Sequence, residues 1–141
     1  MNKYQELKEK HQKEVNEFPF MFAFNQKQFD EGMKKLGLEP GDTDKIYNLG
    51  TGAYIRKTDK DAYREMLTRH AEDYTRAIES DSTGEGFIFD MFYYELNNHE
   101  YSYTGYLDDT LDALGYTYEE IKENKALTNG LNKAIKTITN D

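Results

Sequence analysis

A chain of 141 residues with no cysteine and 37% hydrophobic residues can bury one core, and its composition excludes a disulfide scaffold, a thiolate metal site and thiol catalysis. Its net charge of −9, from 27 acids against 18 Lys and Arg, argues against general affinity for nucleic acid. No run approaches the roughly 18 apolar residues of a membrane span, and the charged opening MNKYQELKEKHQKEVNEF does not read as a signal peptide, so a cytoplasmic protein is expected.

Tyr4, Leu7, His11, Val15 and Phe18 recur at three- and four-residue steps and predict an amphipathic helix that Pro19 ends. The apolar run FPFMFAF is too short for a helix and reads as a buried extended or turn segment. Asn25 is placed to cap a second helix with the stripe Phe29, Met33 and Leu36, stopped by Gly37 with Pro40 beyond. KIYNLGTGAYIRK reads as a hairpin around Gly-Thr-Gly.

Thr58 with Asp61 is a capping signal for a long helix carrying Tyr63, Met66, Leu67, His70, Tyr74, Ala77 and Ile78. ESDSTGEG is a loop. FIFDMFYYEL could form a strand, but the spacing of Ile88, Met91, Phe92, Glu95 and Leu96 favours a helix. Leu107, Leu111 and Leu114 predict a short helix closed by Gly115. A Thr117–Glu120 capping box opens the last helix, whose apolar face is Ile121, Leu127, Leu131, Ala134, Ile135 and Ile138. Gly130 within it costs about 1 kcal/mol against Ala, which a close helix contact would explain. The expectation is a mostly α (α+β) single domain over residues 1–141, with five to six helices, one small antiparallel hairpin and an aromatic-rich core.

Catalytic signatures are sparse. His11 and His70 lie on or beside apolar stripes, where a packed, hydrogen-bonded histidine is the usual arrangement. His99 has Glu95, Glu100, Asp108 and Asp109 near it in sequence, but the second histidine of HExxH is missing and Asn97-Asn98-His99 also suits a helix end. Neither glycine-rich turn matches a phosphate-binding motif, and Ser80 and Ser82 lack a nucleophile-elbow context. The loop ESDSTGEGFIFD places Glu79, Asp81, Thr83 and Asp90 at the first, third, fifth and twelfth positions of a distorted EF-hand, with Gly84 at the sixth. Asp90 in place of the bidentate glutamate weakens the match. Those four residues are the candidate cation ligands; no cofactor and no enzymatic activity are expected.

Residues 79–123 hold twelve acids against the single base Lys122, and seven of the twelve tyrosines. Tyrosine gives large contact area at low entropic cost, and a negative patch steers association with basic partners. The bland alternative is a solvated face with tyrosines half-buried beneath it. Glu95, Glu100, Tyr101, Tyr103, Asp108, Asp109 and Asp112 are the expected partner-binding residues. The expected partner is a basic, nucleic-acid-binding protein of a host, whose cleft the carboxylates would occupy in place of phosphates; direct nucleic-acid and membrane binding are not expected.

The phrases FPFMFAFNQKQFDEGMKKLGL and GEGFIFDMFYYELNNHEYSYTGYLDDTLDALGY resemble small acidic proteins of bacteriophages and mobile elements. In character the chain is similar to phage-encoded anti-CRISPR and anti-restriction inhibitors, some of which imitate DNA. That resemblance implies a non-enzymatic inhibitor of a host defence protein. The alternatives are a regulatory domain using the 79–90 loop as a divalent-cation site, and an accessory domain acting by oligomerisation.

Overall fold

The computed structural model describes residues 1–140 and divides the chain into two compact units. One comprises Lys13–Glu72; the other combines Met1–Gln12 with Asp73–Asp141. Among the described residues there are eight α-helices and one three-stranded antiparallel sheet, so the fold is mostly α with a small sheet, as the sequence pattern indicates. Among the described residues no helix is long and apolar enough to cross a membrane.

Two helices contribute residues to both units: α1 (Lys3–Glu17) and α3 (Lys60–Glu79). The Lys13–Glu72 unit also holds β1 (Met21–Phe22), α2 (Gln26–Lys35), β2 (Ile46–Gly50) and β3 (Ala53–Arg56), in the sheet order β1-β3-β2. The apolar run FPFMFAF thus supplies a third strand to the expected hairpin, pairing Met21 with Tyr54 and Phe22 with Ala53. Met21 and Ala23 are buried while Phe22 and Phe24 are exposed, which is the alternation of a strand. Apolar residues on both faces hide that period from the sequence. The hairpin turn takes three consecutive residues into positive φ, at Gly50, Thr51 and Gly52. A side chain at Gly52 would also collide with the Phe24 ring, so this glycine serves both the turn and the packing of Phe24.

Asn25 caps α2, its side chain accepting from the Gln28 N–H at 2.8 Å, and Gly37 follows the helix with φ 77°. Met33 and Leu36 on its inner face join Met21 and Ala23 in this unit's core. Glu14 of α1 accepts both guanidinium nitrogens of Arg69 (2.8 and 2.7 Å) and meets His70 Nε2 at 3.2 Å. The Arg69 hydrogen bonds chiefly hold the Glu14 carboxyl at about 2 rather than 4.5, burial opposing and His70 adding to the effect. A carboxyl depressed on folding stabilises above its unfolded value and loses that contribution as pH falls through the folded one. Between pH 4.5 and 2 the wild-type chain is therefore expected to lose stability faster than a Glu14→Gln variant. Denaturant melts at stepped pH read the difference, and parallel curves would refute it.

The other unit is built on α4 (Phe87–Asn98) packed against α8 (Lys125–Thr139). FIFDMFYYEL is helical, and Ile88, Met91, Phe92 and Leu96 form its buried face. Short helices surround the pair: α5 (Tyr101–Thr104), α6 (Asp108–Leu114) and α7 (Tyr118–Lys122). The expected last helix is two helices. Both halves of the Thr117–Glu120 capping box form, at 3.2 and 3.0 Å, but they open only α7. Asn124 then caps α8 afresh, accepting from the Leu127 N–H at 3.1 Å. This division and the separate α5 raise the helix count above the five to six expected.

Gly130 makes the anticipated close approach. A β-carbon there would lie 2.5 Å from Ile88 Cγ2 and 2.6 Å from the Gly84 carbonyl oxygen. Gly84 is the reciprocal feature, with φ 83° and its face against the Ala126 carbonyl. Loop and helix meet backbone to backbone.

Candidate interaction surface

The 99–112 segment owes its shape to two left-handed residues. Glu100 has φ 56° and ψ 36° at the end of α4, and its carbonyl accepts from the Tyr103 and Thr104 N–H groups to start α5. Gly105, with φ 70°, ends that single turn. Leu107, Thr110, Leu111 and Leu114 turn α6 inward, with Thr110 Oγ1 donating to the Glu95 carbonyl at 3.4 Å. The opposite side of α6 is left to Asp108, Asp109 and Asp112, all exposed.

Of the seven residues expected to bind a partner, five are exposed: Glu100, Tyr103, Asp108, Asp109 and Asp112. Tyr103 is 89% exposed, and the neighbouring Tyr106, which the sequence reading passed over, is 70% exposed. Tyr101 is half-buried and packs against the core. Glu95 is corrected outright. It is 2% exposed, on the inner face of α4, and cannot contribute to a surface. Tyr118 was also missed; it is half-exposed, with Lys122 Nζ 4.8 Å from its ring centroid. Tyr106 and Tyr118 lie outside the apolar stripes, and that omission was their available signal.

Glu95 instead anchors a buried polar centre. Lys8 Nζ lies 3.1 Å from its Oε1 and His99 Nε2 3.6 Å from its Oε2. Burial first, then the charge of Glu95, hold the Tyr4 phenol well above its ordinary value. Tyr4 packs on Tyr74, Phe87 and Tyr94 with ring centroids 5.5–6.0 Å apart. His11 meets Asp73 at 2.8 Å and stands edge-on to Tyr74, while His70 pairs with Glu14, so both are packed, hydrogen-bonded histidines. The hydrogen bond from His11 lowers the Asp73 carboxyl below its usual value against the opposing effect of burial.

Asp81 and Thr83 touch, but Glu79, Asp81 and Asp90 form no metal-holding group among the described residues. Asp81 accepts from the N–H groups of Gly84 (3.1 Å), Gly86 (3.0 Å) and Ile88 (2.9 Å), closing the loop and starting α4. Thr83 bonds Asp81 itself, and Asp90 accepts from the Lys3 N–H at 2.9 Å. Glu79 lies exposed at the end of α3. No group of three or more His, Cys, Asp or Glu able to hold a metal ion occurs among the described residues. The acidic loop pattern is explained by backbone hydrogen bonding, which the same short polar side chains provide.

Fold and surface together define a small, mostly helical protein that presents an exposed acidic and tyrosine-bearing segment from a firmly anchored helical core. The chain belongs to DUF7659, a family of unknown function, which it matches over residues 3–137. No curated protein and no solved structure matches it.

Proposed function

We propose that the protein is a non-enzymatic binding protein whose 100–112 segment docks into a basic, nucleic-acid-binding groove of another protein. The observation that carries this reading is the joint exposure of Tyr103 and Tyr106 among Glu100, Asp108, Asp109 and Asp112. Two large phenol rings left in water gain apolar burial only on contact, while their hydroxyls exchange water for a partner's polar groups. The carboxylates beside them speed encounter with a basic surface and disfavour an acidic one. Anchoring by Leu107, Thr110 and Leu111 supports the reading further, because a pre-ordered segment loses less entropy on binding than a free one. With the resemblance of its aromatic phrases to phage and mobile-element proteins, the reading becomes inhibition of a host defence protein, such as a CRISPR effector.

The test is displacement of fluorescently labelled nucleic acid from a panel of purified defence nucleases. Wild-type protein should displace it from at least one member. Combined reversal of Glu100, Asp108 and Asp109 to Lys should weaken displacement by about tenfold or more at low salt while leaving the melting temperature close to wild type. Displacement from none of the panel, or equal potency of the reversed variant, would overturn the proposal.

A further inference from the structure

Along α8 of the same unit the charge is inverted. A groove of about 710 Å³ lies between the 82–85 loop and the polar side of α8. Lys125, Asn129, Asn132, Lys133 and Lys136 form its helical wall, and Ser82, Thr83 and Glu85 the facing one. Helical geometry puts the five residues of the first wall in one stripe. The stretch from Asn124 to Asn140 contains these three lysines and no acid. In a chain with 27 acids, such a stripe stands out from the average surface.

Among the described residues one carboxylate lines the groove. Glu85 lies 3.6 Å from Lys133 Nζ, which also sits 4.9 Å from the Phe89 ring centroid. Lys125 and Lys136 have no carboxylate within 4 Å among the described residues. Asn129 Nδ2 donates to the Thr83 carbonyl at 3.4 Å and ties the two walls together. Two ammonium groups with no carboxylate partner among the described residues, a third shared between Glu85 and an aromatic face, two amides and two hydroxyls make a donor-rich cleft. Its volume falls within the usual range for small-molecule sites.

We propose that this groove binds a phosphate-bearing small molecule through Lys125, Lys133 and Lys136. A single carboxylate would neutralise one lysine, whereas a phosphate carries more charge and several acceptor oxygens. Lys125 and Lys133 are separated by about 12 Å along the helix axis, at 1.5 Å per residue. With flexible four-carbon stems converging from both ends, this span suits a ligand of nucleoside-diphosphate length. The proposal is independent of the acidic surface.

Calorimetric titration of the full chain with pyrophosphate, ADP and adenosine tests it. Pyrophosphate and ADP should bind, and a Lys125→Gln/Lys136→Gln variant should bind both at least about tenfold more weakly, as expected for two lost charge-assisted hydrogen bonds. Lys27→Gln/Lys34→Gln, on α2 of the other unit, should bind as wild type does, and circular dichroism should show all variants folded. Binding by neither probe at millimolar concentration, adenosine binding as tightly as ADP, or an equal loss in the α2 variant would overturn it.

Discussion

Gly130→Ala is expected to destabilise the protein by about 2–3 kcal/mol, although alanine is the better helix former by about 1 kcal/mol. The added methyl would meet Ile88 Cγ2 and the Gly84 carbonyl oxygen at 2.5 and 2.6 Å. Ile88 is buried on α4 and has little room to turn aside. Gly84 has positive φ and abuts the Ala126 carbonyl, so the loop is equally unable to retreat. Relief requires α8 to move from α4, which loosens the contact on which this unit is built. Chemical denaturation with an unchanged m-value reads the loss directly. A Gly130→Ala variant as stable as wild type would show that loop and helices shift at little cost.

The second large effect is expected at Glu95. Its carboxylate lies 3.1 Å from Lys8 Nζ and 3.6 Å from His99 Nε2 in a place almost without solvent. Replacement by alanine leaves a cavity and takes the carboxylate from Lys8. Lys8 is near half-exposed and can turn to water, so no charge is stranded. The expected cost is about 2–3 kcal/mol, from the lost side-chain volume and a hydrogen bond to a charged group. Glu95→Gln keeps an acceptor for Lys8 and a similar volume, so it should cost about half as much. A Lys8→Met/Glu95→Ala double variant should lose less than the sum of the two single losses, since either change alone breaks the 3.1 Å pair. Strict additivity would mean that the two groups are not coupled.

Glu95 also shows where sequence reading fails. It shares a stripe with Ile88, Met91, Phe92 and Leu96, and that stripe correctly identified α4 as a helix. The same spacing placed Glu95 inside, yet its charge grouped it with the surface acids. Only the pairing with Lys8, 87 residues earlier, explains how a carboxylate rests there, and no local pattern announces such a pair. Asp81 failed in the other direction. Its spacing matched a cation loop, but short acids that bind backbone N–H groups have the same composition as acids that bind metal. Most caps were legible because their chemistry is local: Asn25, Thr117 and Gly115 act where their neighbours indicate, whereas Thr58 lies inside a 3-10 turn, Lys57–Asp59, ahead of α3. The two-residue strand β1 was not, since its partner Tyr54 lies far along the chain. The acidic tyrosine segment was visible as composition, while its division into buried Glu95, half-buried Tyr101 and exposed Tyr103 required the packing of α4 and α6.

The division of the chain has a consequence for the order in which it can fold on the ribosome. Residues 13–72 carry their own three-stranded sheet and buried cluster, and these can close once that stretch has emerged. The opening segment must wait. Tyr4 meets Phe87 and Tyr94, and Lys8 meets Glu95, only after the whole intervening unit has been synthesised. Loops of that length close slowly, so the apolar face carrying Tyr4 stays without this part of its native cover until α4 has emerged.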